Sequence, residues 1–169
     1  MSSDQHRQAA PNQIRAAILT ISDTRTPDTD SSGQFLHDSV TEAGHLVVAR
    51  AIVKDDPEDI SYTLQNWVYE KTAQIILITG GTGITKRDNT IPIVEGLLEK
   101  PMPGFGELFR MLSYQEVGAA AMLSRATGGL AKGGSSLIFA MPGSLNAVQT
   151  AWKGIFAQEM AHLVFEVVR

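Results

Sequence analysis

Four short apolar runs recur along the chain, at 14–22 (I-R-A-A-I-L-T-I-S), 46–53, 75–78 and 136–141. Each is rich in β-branched residues, Leu or Ala and stops at polar or turn-forming residues, as strands do, and the uninterrupted run at 75–78 suits a strand buried on both faces. Between them the period changes. Leu36, Val40 and Ala43 recur at helical spacing, as do Ile60, Leu64, Trp67 and Val68, then Phe105, Leu108, Phe109 and Leu112. Further helices are expected over 90–98, 114–122 and 145–168, the last with Leu145, Val148, Trp152, Ile155 and Phe156 on one side. Strands alternating with helices imply parallel pairing, so the expected fold is α/β, a three-layer α/β/α sandwich with a mostly parallel central sheet.

End signals sharpen these bounds. Ser32 is a candidate cap for the first helix and Gly44 a terminating glycine; Asp56 with Pro57 opens the second, and Ser144 the last. The loop 26–32, with Asp28 and Asp30, reads mostly as solvated surface, and the glycine-rich stretch 128–135 as a turn. Ala147 and Ala151 form a second apolar set on the last helix, suited to facing another subunit.

At 169 residues the chain has the size of one domain with a real core. Its net charge of -4 argues against a nucleic-acid binder. The absence of cysteine excludes disulfides, thiolate metal sites and cysteine nucleophiles, and fits a reducing cytoplasm. No apolar run has membrane-spanning length, so no membrane partner is expected. Residues 1–13 are polar and read as a disordered tail, with the folded domain over 14–169. The four histidines are scattered without metal-ligand spacing.

The third apolar run carries the chemistry. It ends in Thr79-Gly80-Gly81-Thr82-Gly83, followed by Lys86, Arg87 and Asp88. Ligands of open α/β sheets bind at the carboxyl ends of strands. A glycine-rich turn there offers bare amides to an anion, most often phosphate. A carboxylate beside a phosphate cradle is explained by a Mg²⁺ ion between them, which takes both kinds of oxygen. Ser22 and Asp23 follow the first run, Asp55 the second, and Pro142-Gly143-Ser144 the fourth.

The segments I-T-G-G-T-G with its basic residues and Asp88, P-G-F-G-E at 103–107, S-R-A at 124–126 and M-P-G-S at 141–144 together resemble the molybdenum cofactor biosynthesis family of the MoaB/MogA type, from about Ile14 to the last helix. The resemblance implies binding of molybdopterin, a pterin phosphate, and in active members its adenylylation by Mg-ATP. By motif position Asp55, with Asp56 as the alternative, and Asp88 would position metal and nucleotide. Gly80, Gly81, Thr82 and Gly83 would hold phosphate, and Ser22, Asp23, Ser113, Pro142, Gly143 and Ser144 would face the substrate. A homotrimer or homohexamer is implied, with other cofactor-assembly proteins as further partners. Two departures, Ile93 where relatives carry an acid after the proline and Ala140 where adenylylating relatives carry Asn, favour the alternative of a non-catalytic carrier or scaffold. Glu107 reads as a ligand contact or a helix start, and Arg125 as an anion contact or the partner of an acid.

Overall fold

The first apolar run becomes β1 (Arg15–Ile21), and alternate residues feed two cores. Ile14, Ala16 and Ile18 face one side of the sheet, Ala17, Leu19 and Ile21 the other. The computed structural model describes residues 11–168, so most of the tail expected over 1–13 lies outside the described residues. The remaining strands are β2 (Leu46–Val53), β3 (Ile75–Thr79), β4 (Leu98–Pro101), β5 (Thr127–Ala131) and β6 (Leu137–Met141). They form one sheet in the order β2-β1-β3-β6-β5-β4, parallel from β2 to β6 and antiparallel at β6-β5 and β5-β4.

Helices α1 (Ser31–Glu42), α4 (Pro103–Val117), α5 (Leu145–Ala151) and α6 (Ala157–Val168) cover the first face, and α2 (Pro57–Tyr69) and α3 (Thr90–Leu97) the second. Leu36 and Val40 of α1 join Phe109, Val148, Phe156 and Met160 in the first core. Phe105, Phe139 and Phe156 form its aromatic centre, with ring centroids 4.9, 5.6 and 5.3 Å apart. Ile60 and Leu64 of α2 and Ile91 and Val94 of α3 close the second. Among the described residues no helix is long and apolar enough to cross a membrane.

Several boundaries differ from the sequence expectation. Asp30, not Ser32, caps α1: its side chain accepts from the Gly33 amide at 2.9 Å, and Asp30 is only 2% exposed rather than solvated. The turn expected at 128–135 begins with a strand, β5. Its glycines conceal the strand pattern because neighbours leave no room for side chains: a Cβ on Gly128 would lie 2.2 Å from Phe139 Cδ1, and one on Gly129 2.2 Å from Lys100 O. The helix expected over 90–98 stops at Leu97, and Leu98 enters β4.

The helix expected over 114–122 is instead the end of α4, which runs to Val117 and passes through Gly118 into a 3₁₀ turn, Gly118–Leu123. The long final helix is interrupted by a π turn, Trp152–Phe156. Gly154 sits in that turn, where a Cβ would meet Leu112 Cδ1 of α4 at 2.4 Å; widening there keeps the two helices packed. Ala151 packs in the molecule's own core at 0% exposure, and Ala147 is partly buried against that core.

Candidate functional site at the carboxyl ends of β1, β3 and β6

Register aligns the strand ends. Thr20 of β1 pairs with Thr79 of β3, and Thr79 with Met141 of β6. The chain runs from β1 outward to β2, then crosses to β3 on the other side of β1, so the direction of winding reverses between β1 and β3. A crevice is expected at that point. A cavity of about 400 Å³ opens there, walled by Thr20–Ser22, Arg25, Asp30, Ser32, Thr79–Gly83, Asp88, Leu123, Ser124, Pro142 and Gly143.

The glycine loop owes its shape to close approaches. Gly80 has φ 100° and Gly81 φ 62°, in the region side chains avoid. A Cβ on Gly80 would fall 2.1 Å from Ile21 O, a backbone atom of the neighbouring strand. The Gly80 amide completes the ladder to Met141 O at 3.1 Å. Thr90 pins the far side, its hydroxyl donating to Gly80 O at 2.9 Å and its amide to Gly81 O at 3.1 Å. Thr79 and Ser32 tie in the opposite wall, donating to Pro142 O at 3.1 Å and Gly143 O at 2.8 Å.

Asp88 folds back onto this loop. Oδ1 accepts from the Gly83 amide at 2.9 Å, and Oδ2 from the Thr85 amide at 2.8 Å and the Thr85 hydroxyl at 2.6 Å. Burial pushes the Asp88 pKa up. The hydrogen bonds from Thr85 and Gly83 and the charge of Arg125 outweigh it, and the carboxyl rests below the ordinary aspartate value. The carboxylate thus takes the Gly83 amide for itself, while Gly81 and Thr82 line the cavity beside it.

Asp55 stands on the β2 side. Its Oδ1 accepts from the Asn89 amide at 3.2 Å, and its Oδ2 lies 2.8 Å from where a Cβ on Gly81 would be. Both carboxylates therefore approach the Gly81–Gly83 segment, but only Asp88 is in the cavity wall. Asp56 instead caps α2, accepting from Glu58 and Asp59 amides at 2.9 and 3.3 Å. Among the described residues no three acidic, histidine or cysteine side chains converge as a metal cluster. The donor set fits a Mg²⁺ ion that brings phosphate oxygens with it, which needs only one or two carboxylates.

Of the other expected residues, Ser22 lines the cavity, its oxygen accepting from the Thr24 and Arg25 amides at 3.2 and 3.1 Å. Pro142 and Gly143 line it too. Asp23 lies outside that wall, paired with Arg87 and accepting from the Asp55 amide at 3.2 Å. Ser144 caps α5 through the Ala147 amide at 3.2 Å, and Ser113 is buried on the α4 face that carries Phe109; neither is in the wall. Glu107 is exposed on α4, away from the cavity. Arg125 acts on the acid Asp88 through its charge, while its hydrogen bonds go to backbone oxygens. Its Nε donates to Thr82 O at 2.9 Å, and its Nη2 to Gly83 O and, at 3.5 Å, to Asp88 O.

Sequence reasoning missed Thr20, Ile21, Arg25, Asp30, Ser32, Leu123 and Ser124 in the wall. Asp30 accepts from the Thr20 hydroxyl at 2.9 Å and from Arg50 Nη2 at 3.0 Å, joining β1, α1 and β2 behind the cavity. Its local signal, an Asp three residues before a glycine at a helix start, was readable; its burial depends on Thr20 and Arg50, ten and twenty residues away.

With this geometry in hand, comparison with known proteins is decisive: residues 17–162 match the family described as "Probable molybdopterin binding domain". The chain belongs to the molybdenum cofactor biosynthesis family. It is similar to molybdenum cofactor biosynthesis protein B of Bacillus cereus, 48% identical over 170 residues, covering 100% of this chain and 99% of that protein. A crystal structure of a molybdenum cofactor biosynthesis protein B superposes with TM-score 0.89 at 50% identity, over 95% of this chain and 99% of that one. The tungsten cofactor synthesizing protein MoaB from Pyrococcus furiosus gives TM-score 0.83 at 35% identity, over 95% and 100%. The MoaB/MogA fold, with its four parallel strands and antiparallel edge, is therefore the framework of the cavity.

Proposed function

We propose that the protein binds molybdopterin at the β1–β3–β6 cavity and adenylylates it with Mg-ATP. The observation that carries this reading is the glycine loop itself, with Gly81 and Thr82 in the cavity wall and two carboxylates against Gly81–Gly83 in a family of cofactor assembly. In the reaction the substrate phosphate attacks the α-phosphorus of ATP, a new P–O–P bond forms, and the α–β bridging bond breaks to release pyrophosphate. The chain's own part is positioning. The Gly81 and Thr82 amides and the Thr82 hydroxyl hold phosphate oxygens, and Ser22 Oγ–H is available to the guest. Asp55 and Asp88 orient the nucleotide, with Mg²⁺, when bound with it, neutralising phosphate charge.

A second reading, a non-catalytic molybdopterin carrier, has its own support in Ala140 and Ile93 and in the self-satisfied Asp88 carboxylate. The two differ in one assay. Wild type incubated with molybdopterin and Mg-ATP yields adenylylated product and pyrophosphate on the first reading; calorimetry shows pterin binding without turnover on the second. Product formation by Asp88→Ala equal to wild type would remove the metal and nucleotide role of Asp88.

A homo-oligomer, trimer or hexamer, is part of the proposal. Leu108, Met111, Val117 and Met122 are about half exposed or more on α4 and the 3₁₀ turn, a face that copies of the chain would cover. A cytoplasmic setting is likewise proposed and is consistent with a chain free of cysteine.

A further inference from the structure

The glycine loop must keep amides turned toward the cavity although its own sequence, three glycines in five residues, resists no rotation. Thr90 restrains its first half through Gly80 O and Gly81 O. The carbonyls of Thr82, Gly83 and Asp88 all turn instead to one guanidinium, that of Arg125. Arg125 is half-buried and not part of the cavity wall, so it meets no guest directly. Its neighbours Leu123 and Ser124 are in the wall. We propose that Arg125 is a positioning residue that locks the second half of the glycine loop in its anion-receiving shape. This rests on the reading that the loop receives a phosphate.

The chemistry suits the role. A planar fork with several donors can satisfy converging carbonyls that a lysine ammonium, a flexible point charge, cannot hold in one arrangement. With its carbonyls drawn to Arg125, the loop keeps Gly83 N–H on Asp88 Oδ1 and holds Gly81 and Thr82 in the cavity wall. The guanidinium also places positive charge one layer behind the cradle, where it favours an anion without touching it.

The test compares Arg125→Ala, Arg125→Lys and a control, Lys132→Ala. Lys132 likewise donates to a backbone carbonyl, Gly96 O at 2.8 Å, but far from the loop. Hydrogen exchange of the full-length protein reads the loop amides, and titration with inorganic pyrophosphate reads its anion affinity. Arg125→Ala is expected to speed exchange at Gly83 and Thr85 by about tenfold and to weaken pyrophosphate by about tenfold. Arg125→Lys should fall between, and Lys132→Ala should change neither. Wild-type exchange rates in Arg125→Ala, unchanged pyrophosphate affinity despite a loosened loop, or no pyrophosphate effect on the wild-type loop amides would each overturn the proposal. If Arg125→Ala does not fold, Arg125→Lys carries the same comparison. Pyrophosphate binding intact with no molybdopterin binding would sink the proposed function while leaving the role of Arg125 standing.

Discussion

Replacing Asp30 by alanine tests whether the back wall of the cavity is held by one buried carboxylate. Three interactions go at once. The Gly33 amide loses its cap, worth about 1 kcal/mol. The Thr20 hydroxyl, only 4% exposed, loses its acceptor, at about 1–3 kcal/mol if nothing replaces it. Arg50 loses its ion-pair partner, but its side chain is 23% exposed and keeps Gln34 Oε1 at 2.6 Å, so that loss is discounted to about 1 kcal/mol or less. Water can enter the adjoining cavity and meet Thr20, which favours the lower end, about 3 kcal/mol in all. For a chain of this size that is a fall in Tm of about 6–12 °C. Asp30→Asn keeps an acceptor for Gly33 and gives up mainly Arg50, so about 1–2 kcal/mol is expected. Urea unfolding followed by the fluorescence of Trp67 and Trp152, at one protein concentration, measures both. An alanine variant less than about 1 kcal/mol below wild type, or an asparagine variant as unstable as the alanine, would refute the accounting.

What the chain discloses locally and what it withholds have different physical origins. Strands β1, β3 and β6 were legible because burial on both faces demands apolar runs, the edge strand β2 by its apolar run although none of its residues is fully buried, and the glycine loop because its positive φ angles demand glycine. The caps at Asp56 and Ser144 follow from neighbours within three residues. Strand β5 was not legible, since its sequence T-G-G-L-A answers to Phe139 and Lys100 rather than to its own propensity. The same holds within the site. Ser22, Gly80–Gly83, Asp88, Pro142 and Gly143 meet in one cavity because each follows a strand end, which sequence can locate. Asp30 and Arg125 matter through partners ten to forty-three residues away, so the cap signal at Asp30 and the S-R-A segment around Arg125 do not disclose what either holds.

Three further outcomes are expected. Gly80→Ala should cost about 3 kcal/mol or more, because its Cβ meets the Ile21 carbonyl at 2.1 Å as well as bearing a positive φ. Gly44→Ala, also at positive φ but with open space around it, should cost only about 1 kcal/mol by the same urea assay. His45 has its pKa lowered by burial, and its Nδ1 is buried without a hydrogen-bond partner. Its contribution is therefore present above the ordinary histidine value of 6.5 and lost as pH falls through the lowered one; His45→Leu should flatten stability against pH over that window. Asp88 and Asp55 can be told apart by what each does without a ligand. Asp88 carries three hydrogen bonds that organise its own loop, so Asp88→Asn should cost about 1–2 kcal/mol, discounted for partial exposure. Its lowered pKa makes that stability present above the ordinary value of 3.8 and lost as pH falls below it, so the variant should also lose part of the acid limb of the stability profile. Asp55 accepts chiefly from Asn89, and Asp55→Asn keeps an acceptor there, so its stability should stay within about 0.5 kcal/mol of wild type. Loss of adenylylation in both variants with a stability cost in Asp88→Asn alone would mean that one carboxylate builds the cradle and the other serves only its guest. Equal stability of the two variants would mean that the hydrogen bonds of Asp88 to Gly83 and Thr85 do not hold the loop.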